Sequence, residues 1–178
     1  MIDPSTDTMY FFAKGYFNGL AGPQGTLKGV YKLWALTIPT LAVVPGFPVE
    51  IGGPSDNDPT RYFVGGTVLQ RPGLTTVGDS IIAGFGGHCD GFNFTGMLVA
   101  VSKTSATVTS VMAMEVSPGE HNIPYLKTLY IADYRGSGAP SPQATVYTEG
   151  SGGKGGIWQS GMGLSIDLAN NRIIFSTG

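Results

Sequence analysis

The sequence has few charged residues and no excess of either sign. Only 12% of its 178 residues are Asp, Glu, Lys or Arg, and the formal net charge is −2. Lys and Arg occur singly rather than in clusters, so no basic field is available to hold a phosphate backbone. We therefore expect no nucleic-acid binding. The 42% hydrophobic content is enough to build a core and excludes a chain kept disordered by charge.

Long apolar runs are also missing. The longest one, residues 33–38 with its continuation at 41–44, is interrupted by Pro39 and Pro45, and it falls short of the roughly 20 residues that a membrane-spanning helix needs. The sequence thus predicts no transmembrane segment. The first residues, 1–4, lack the basic start and the apolar region of a signal peptide.

The sequence has a single cysteine, Cys89. An intrachain disulfide and a tetrahedral thiolate zinc site are therefore excluded. Asn93-Phe94-Thr95 fits the acceptor pattern for N-glycosylation, which favours a secreted or extracellular protein with a glycan at Asn93.

Glycine and proline are abundant, with 28 and 12 residues, and they separate short segments rich in β-branched and aromatic residues. This pattern is typical of short strands joined by tight turns, and it predicts an all-β fold. Period-2 alternation and turn signals predict strands at residues 9–13, 30–38, 47–51, 74–77, 80–85, 97–102, 107–116, 161–166 and 172–176, with one hairpin at 127–132 and 144–147.

The predicted strands fall into repeating units of about 40 to 50 residues, the period of propeller blades. We assign one blade to residues 1–52 and a second to 67–116. A Gly- and Pro-rich excursion follows at 117–156, and a third blade begins at 157–178. The sequence therefore predicts a single partial β-propeller of about two and a half four-stranded antiparallel blades, with open blade edges.

One run of residues carries a family resemblance. The segment GGIWQSGMGL from Gly155, followed by Asp167 and by RIIFSTG from Arg172, resembles a blade opening in pyrroloquinoline-quinone-type propeller repeat proteins. The early segments IDP from Ile2 and YKLWAL from Tyr31 resemble other strands of that family. The resemblance implies a quinoprotein-like propeller in which pyrroloquinoline quinone (PQQ) and calcium are the cofactors. The adjacent cysteine pair that such dehydrogenases often have is missing.

In a propeller, inner-strand starts and blade connectors converge on one face of the disc. This places a candidate ligand-binding set around one mouth: Gln70, Arg71, Trp158 and Gln159. Arg71 is expected either to clamp a carboxylate or a quinone dicarbonyl, or to pair with Asp79 or Asp90. Trp158 is expected either to stack on a planar ligand or to pack between blades.

The same mouth contains the catalytic candidates His88 and Asp90. Imidazole and carboxylate suit an acid/base pair or a metal, and Asp90 with Asn93 are candidate calcium ligands. The alternative is that His88 and Asp90 fix a Gly-rich turn through backbone hydrogen bonds. Cys89 is either a nucleophile activated by His88 or a small buried residue.

Three functional hypotheses follow. The first is a binding or structural module that presents a face for a small polar ligand. The second is a PQQ- and calcium-dependent alcohol or sugar dehydrogenase, in which the cofactor supplies the redox chemistry. The third is an assembly subunit that pairs through its open blade edges, because unpaired backbone groups recruit further strands.

Overall fold

The computed structural model describes residues 1–16, 29–58, 62–88, 94–114 and 155–178. Within these ranges the chain forms strands and no helix, and its antiparallel sheets do not close into a barrel. The prediction of an all-β fold is confirmed. The predicted excursion at 117–156 and its hairpin lie outside the described residues, apart from Gly155 and Gly156.

The first sheet has four strands in the order β1-β2-β3-β4. Along β3 the side chains of Tyr31, Leu33 and Ala35 are buried and alternate with partly exposed neighbours, which is the signature of a sheet with one covered face. The strand bounds are β1 Ile2–Asp3, β2 Thr8–Tyr16, β3 Gly29–Thr37 and β4 Val49–Ile51.

The second sheet has the strand order β11-β10-β9-β7, and β8 pairs with the same edge of β9 as β7 does. Together β7 and β8 therefore form one outer strand that is broken at residues 71–74. A short separate hairpin, β5 with β6, precedes this sheet. The bounds are β5 Gly53–Pro54, β6 Tyr62–Phe63, β7 Val68–Gln70, β8 Thr75–Val77, β9 Ser80–Gly87, β10 Met97–Ser102 and β11 Thr107–Ala113.

The main core lies between the two sheets, which pack face to face. Its centre is the fully buried ring of Phe85, which meets Phe63, Tyr31 and Phe12 edge to face at centroid distances of 4.8, 5.2 and 5.5 Å. Edge-to-face contact is a favoured arrangement of aromatic rings. The aromatic residues thus hold the two sheets together.

The opposite face of the second sheet is covered by the C-terminal segment. Ile157 and Leu164 are buried there against Ile82. The segment ends in a hairpin of β12, Ser165–Asp167, and β13, Arg172–Ile174. The second sheet therefore lies in the middle of three layers.

Some strand bounds differ from the prediction. The predicted strand at 161–166 is wrong over its first residues, because Gly161 adopts a positive φ of 74° and the regular strand begins only at Ser165. The short strands β1 and β7 were not predicted. Each has three residues or fewer, too short for a periodic pattern to show.

Candidate functional site

The candidate site is built where the outer strand of the second sheet is broken. The N–H of Gly161 donates to the carbonyl of Arg71 at 3.2 Å, and the N–H of Gly73 donates to Met162 at 2.9 Å. Pro72 forms a β-bridge with Ser160. The C-terminal segment thus pairs with the broken strand and fixes the backbone of Arg71 beside residues 158–162.

Glycines make room for the indole of Trp158. A Cβ atom at Gly86 would lie 2.7 Å from Cε2 of Trp158, and one at Gly156 would lie 2.5 Å from Nε1. Real Cβ contacts are not this short, so the ring packs directly on these two backbones. Gly86 in β9 and Gly156 in the C-terminal segment therefore seat the indole of Trp158.

Arg71 lies over the Trp158 ring, with its guanidinium carbon 5.1 Å from the ring centroid. The Arg71 side chain is exposed. Among the described residues no carboxylate or other acceptor binds its guanidinium, so its fork of N–H donors faces solvent. The cation–π contact orients the guanidinium without using its hydrogen-bonding capacity.

Asp79, one of the two partners predicted for an ion pair with Arg71, is engaged elsewhere. The Asp79 carboxylate accepts hydrogen bonds from Ser102 Oγ at 2.5 Å and from Thr104 Oγ1 at 2.6 Å. These bonds, led by that of Ser102, lower the pKa of Asp79. The carboxylate therefore stabilises the β10–β11 turn. The other partner predicted for Arg71, Asp90, lies outside the described residues.

The two glutamines flank the Arg71–Trp158 pair in different states. The side-chain amide of Gln70 donates to the carbonyl of Pro72, and its backbone N–H donates to the Tyr31 hydroxyl at 3.2 Å. Gln70 is therefore engaged in holding the strand break. In contrast, Oε1 of Gln159 is buried without a hydrogen-bond partner among the described residues.

His88 does not lie beside Arg71. Its backbone N–H donates to Thr67 at 2.9 Å, and its Nδ1 is 3.3 Å from the carbonyl oxygen of Gly66. In the β7–β9 register this position is four residues from Arg71, about 13 Å at 3.3 Å per residue. Both contacts join His88 to the backbone of the turn at residues 65–67. Its predicted partners Cys89, Asp90 and Asn93 lie outside the described residues.

Within the described ranges no group of three His, Cys, Asp or Glu residues could hold a metal ion. The calcium ligands expected at Asp90 and Asn93 lie outside those ranges. In the same part of the chain no helix is long and apolar enough to cross a membrane.

Lys14 is a half-buried lysine that sequence reasoning missed. Its Nζ donates to the carbonyl of Val68 at 3.2 Å and lies 5.4 Å from the ring centroid of Tyr31. Burial lowers the pKa of Lys14 to about 8, and burial raises the pKa of Tyr31 to about 12. The alternation of the sequence indicates its burial, because Lys14 follows Tyr10 and Phe12 on the inward-facing side of β2.

A cavity of about 280 Å³ opens beside β2. The residues that line it, which we call the outer pocket, are Ala13, Lys14, Gly15, Tyr16, Val30, Lys32 and Trp34. Trp34 and Lys32 lie on the face of the first sheet that points away from the core, as the alternation along β3 requires. This cavity is separate from the Arg71–Trp158 pair.

Comparison with known proteins gives no relative: no family model, no curated protein and no solved structure matches the chain.

Proposed function

We propose that the chain is a segment of a quinoprotein-like β-propeller and acts as a binding module for a small planar anion, which Arg71 holds beside Trp158. The exposed guanidinium of Arg71, which lies over Trp158 and for which no described residue supplies a hydrogen-bond acceptor, carries this proposal. The face-to-face packing of antiparallel four- and five-stranded sheets supports the propeller, because blades bury their faces against one another.

The chemistry of the site suits a carboxylate on a flat ring. A guanidinium presents parallel donors that bind a carboxylate in a bidentate manner. The Trp158 ring holds that fork in one orientation, which reduces the entropy lost on binding.

PQQ fits the cationic guanidinium and the aromatic ring of this site, since it is a planar quinone with several carboxylates. The described residues supply a guanidinium and an aromatic ring for it, but they supply no cluster of ligands for calcium. The dehydrogenase hypothesis therefore stands as a separate proposal. Reduction of a dye after addition of PQQ, calcium and an alcohol or aldose tests it, and no cofactor-dependent reduction would exclude it.

Fluorescence tests the binding proposal directly, because the chain has only two tryptophans. In the variant Trp34→Phe, Trp158 is the one remaining reporter. We expect PQQ to quench its emission saturably, after correction for absorption with free tryptophan. Adding Arg71→Met should weaken binding at least about tenfold, because a charge-assisted bidentate bond contributes roughly 1.5–3 kcal/mol.

Arg172→Met is the matched control, since Arg172 is also exposed and lies on β13. It removes the same charge away from Trp158 and should leave the affinity unchanged. Equal affinity of the Arg71 and Arg172 variants, or no saturable quenching, would refute the proposal.

Assembly is a second candidate, favoured by where the apolar surface lies. Ile2 and Val43 are 59% and 46% exposed on the first sheet, while Leu168 and Ile174 are 76% and 56% exposed at the C-terminal hairpin. These residues lie at opposite ends of the three-layer stack. Two different patches favour head-to-tail contact between copies of the chain. Sedimentation at micromolar concentration tests it: we expect oligomers that Leu168→Asp dissociates, and a stable monomer would exclude assembly.

A further inference from the structure

The backbone of β2 is paired along only part of one edge. On that edge β1 pairs with Thr8 and Met9. Met1 then exchanges two backbone hydrogen bonds with Tyr10, each of 2.8 Å. Beyond Tyr10, no residue in the described ranges pairs with this edge, although β2 continues to Tyr16.

The direction of the free backbone groups follows from the pairing of Tyr10. In an antiparallel strand, alternate residues direct both N–H and C=O to the same edge. Since Tyr10 faces β1, the backbone groups of Phe12, Lys14 and Tyr16 face the same edge. Those of Phe11, Ala13 and Gly15 face β3, with which all of β2 is in register. The unpaired stretch, which we call the open edge, therefore offers three donors and three acceptors in a row.

The outer pocket lies directly beside the open edge. On β3, Lys32 lies opposite Ala13 and Val30 lies opposite Gly15. Trp34 lies opposite Phe11, on whose ring it stacks at a centroid distance of 6.5 Å. A Cβ atom at Gly15 would meet no atom of the described residues within 4 Å. A residue added opposite Ala13 would share its face of the sheet. Its side chain would enter the outer pocket across Ala13 toward Lys32, with Trp34 as the diagonal neighbour.

We propose that the open edge binds an extended segment of a partner protein, antiparallel to β2 and in line with β1, with a bulky apolar side chain in the outer pocket. The added strand lies in line with β1, on the side of Met1 away from Ile2, and is opposite residues 12–16 of β2. Backbone hydrogen bonds supply the affinity in such strand addition, and a pocket for an alternate side chain supplies the specificity. This surface is on the first sheet and is independent of the Arg71 site.

The test uses amide hydrogen exchange in the full chain. The probe is a synthetic peptide about eight residues long, within the usual range of strand lengths, of alternating Thr and Val with one central Phe. We expect the peptide to slow exchange at Phe12, Lys14 and Tyr16 about tenfold or more at saturation. The amides of Ala13 and Gly15, already bonded to β3, are the internal control and should not change.

Trp34 gives an independent readout of the pocket. In Trp158→Phe it is the sole tryptophan, and its emission should shift when the Phe peptide binds. A peptide with Ala in place of Phe should bind more weakly and leave the emission unchanged. A peptide with Pro at alternate positions cannot donate to the edge and should give no protection.

Three outcomes would overturn the proposal. The first is unchanged exchange of Phe12 and Lys14 at saturating peptide. The second is equal protection by the Pro peptide. The third is protection that rises with protein concentration in the absence of peptide, which would assign the edge to a second copy of the chain. None of these readouts depends on Arg71, so failure here leaves the planar-anion proposal intact.

Discussion

Gly84 lies directly beneath Ile157. A Cβ atom at Gly84 would lie 2.7 Å from Cγ2 of Ile157, whose side chain is fully buried. The N–H of Ile157 donates to the carbonyl of Phe85 at 3.2 Å. This contact fixes the C-terminal segment on the second sheet one residue before Trp158. The geometry of the candidate site therefore depends on a glycine in β9.

The variant Gly84→Val should be destabilised by about 1–3 kcal/mol, the usual cost of overpacking a filled core. Urea unfolding measures the change. Gly15→Ala is the control, because no atom of the described residues lies within 4 Å of the added Cβ, and we expect a change of no more than about 0.5 kcal/mol. Equal stability of the two variants would show that Ile157 does not occupy this position.

A buried hydroxyl holds the same segment further along. Thr75 Oγ1 accepts the N–H of Leu164 at 2.7 Å and donates to the Leu164 carbonyl at 3.2 Å. Thr75→Val leaves both backbone groups without their partner and should cost about 1–3 kcal/mol. Thr75→Ser keeps the hydroxyl, and it should retain slow exchange of the Leu164 amide. If Thr75→Val were as stable as Thr75→Ser, this bond would not anchor the segment.

The sequence was sufficient to predict the regular strands. The interval 97–102 is the observed strand Met97–Ser102, and 30–38 differs by one residue at each end from Gly29–Thr37. Both segments pack one face in the core, so their side-chain period reflects the fold. The hairpin of Gly53–Pro54 with Tyr62–Phe63 was interpreted as a connector, because two-residue strands leave no period to detect.

The candidate site was only partly predictable. Trp158 and Arg71 were named from expected loop convergence, and the structure brings them into contact. The separation of His88 from Arg71 depends on how the strand Val68–Gln70 is paired with β9. It could not be foreseen, because Val68–Gln70 was not predicted as a strand. The hydrogen bonds of Asp79 with Ser102 and Thr104 could not be predicted either, because they depend on where the β10–β11 turn lies in the folded chain.

Lys14 predicts a pH dependence of stability. Burial lowers its pKa in the folded chain to about 8, from the ordinary value of 10.5. Between these values the unfolded chain binds more protons than the folded one, so stability rises with pH across that window. Chemical unfolding at several pH values between 7 and 10.5 should show the wild type gaining stability relative to Lys14→Met. A constant difference across the window would contradict the burial of this amine.

A titration with PQQ tests whether Arg71 and Trp158 form a binding site for a planar anion. The readout is the ¹H–¹⁵N spectrum of the two indole N–H groups. Trp34→Phe assigns them. We expect the Trp158 indole resonance and the Arg71 Nε–H resonance to shift together and saturate, while the Trp34 resonance stays in place. No shift at Trp158, or a shift confined to Trp34, would contradict it.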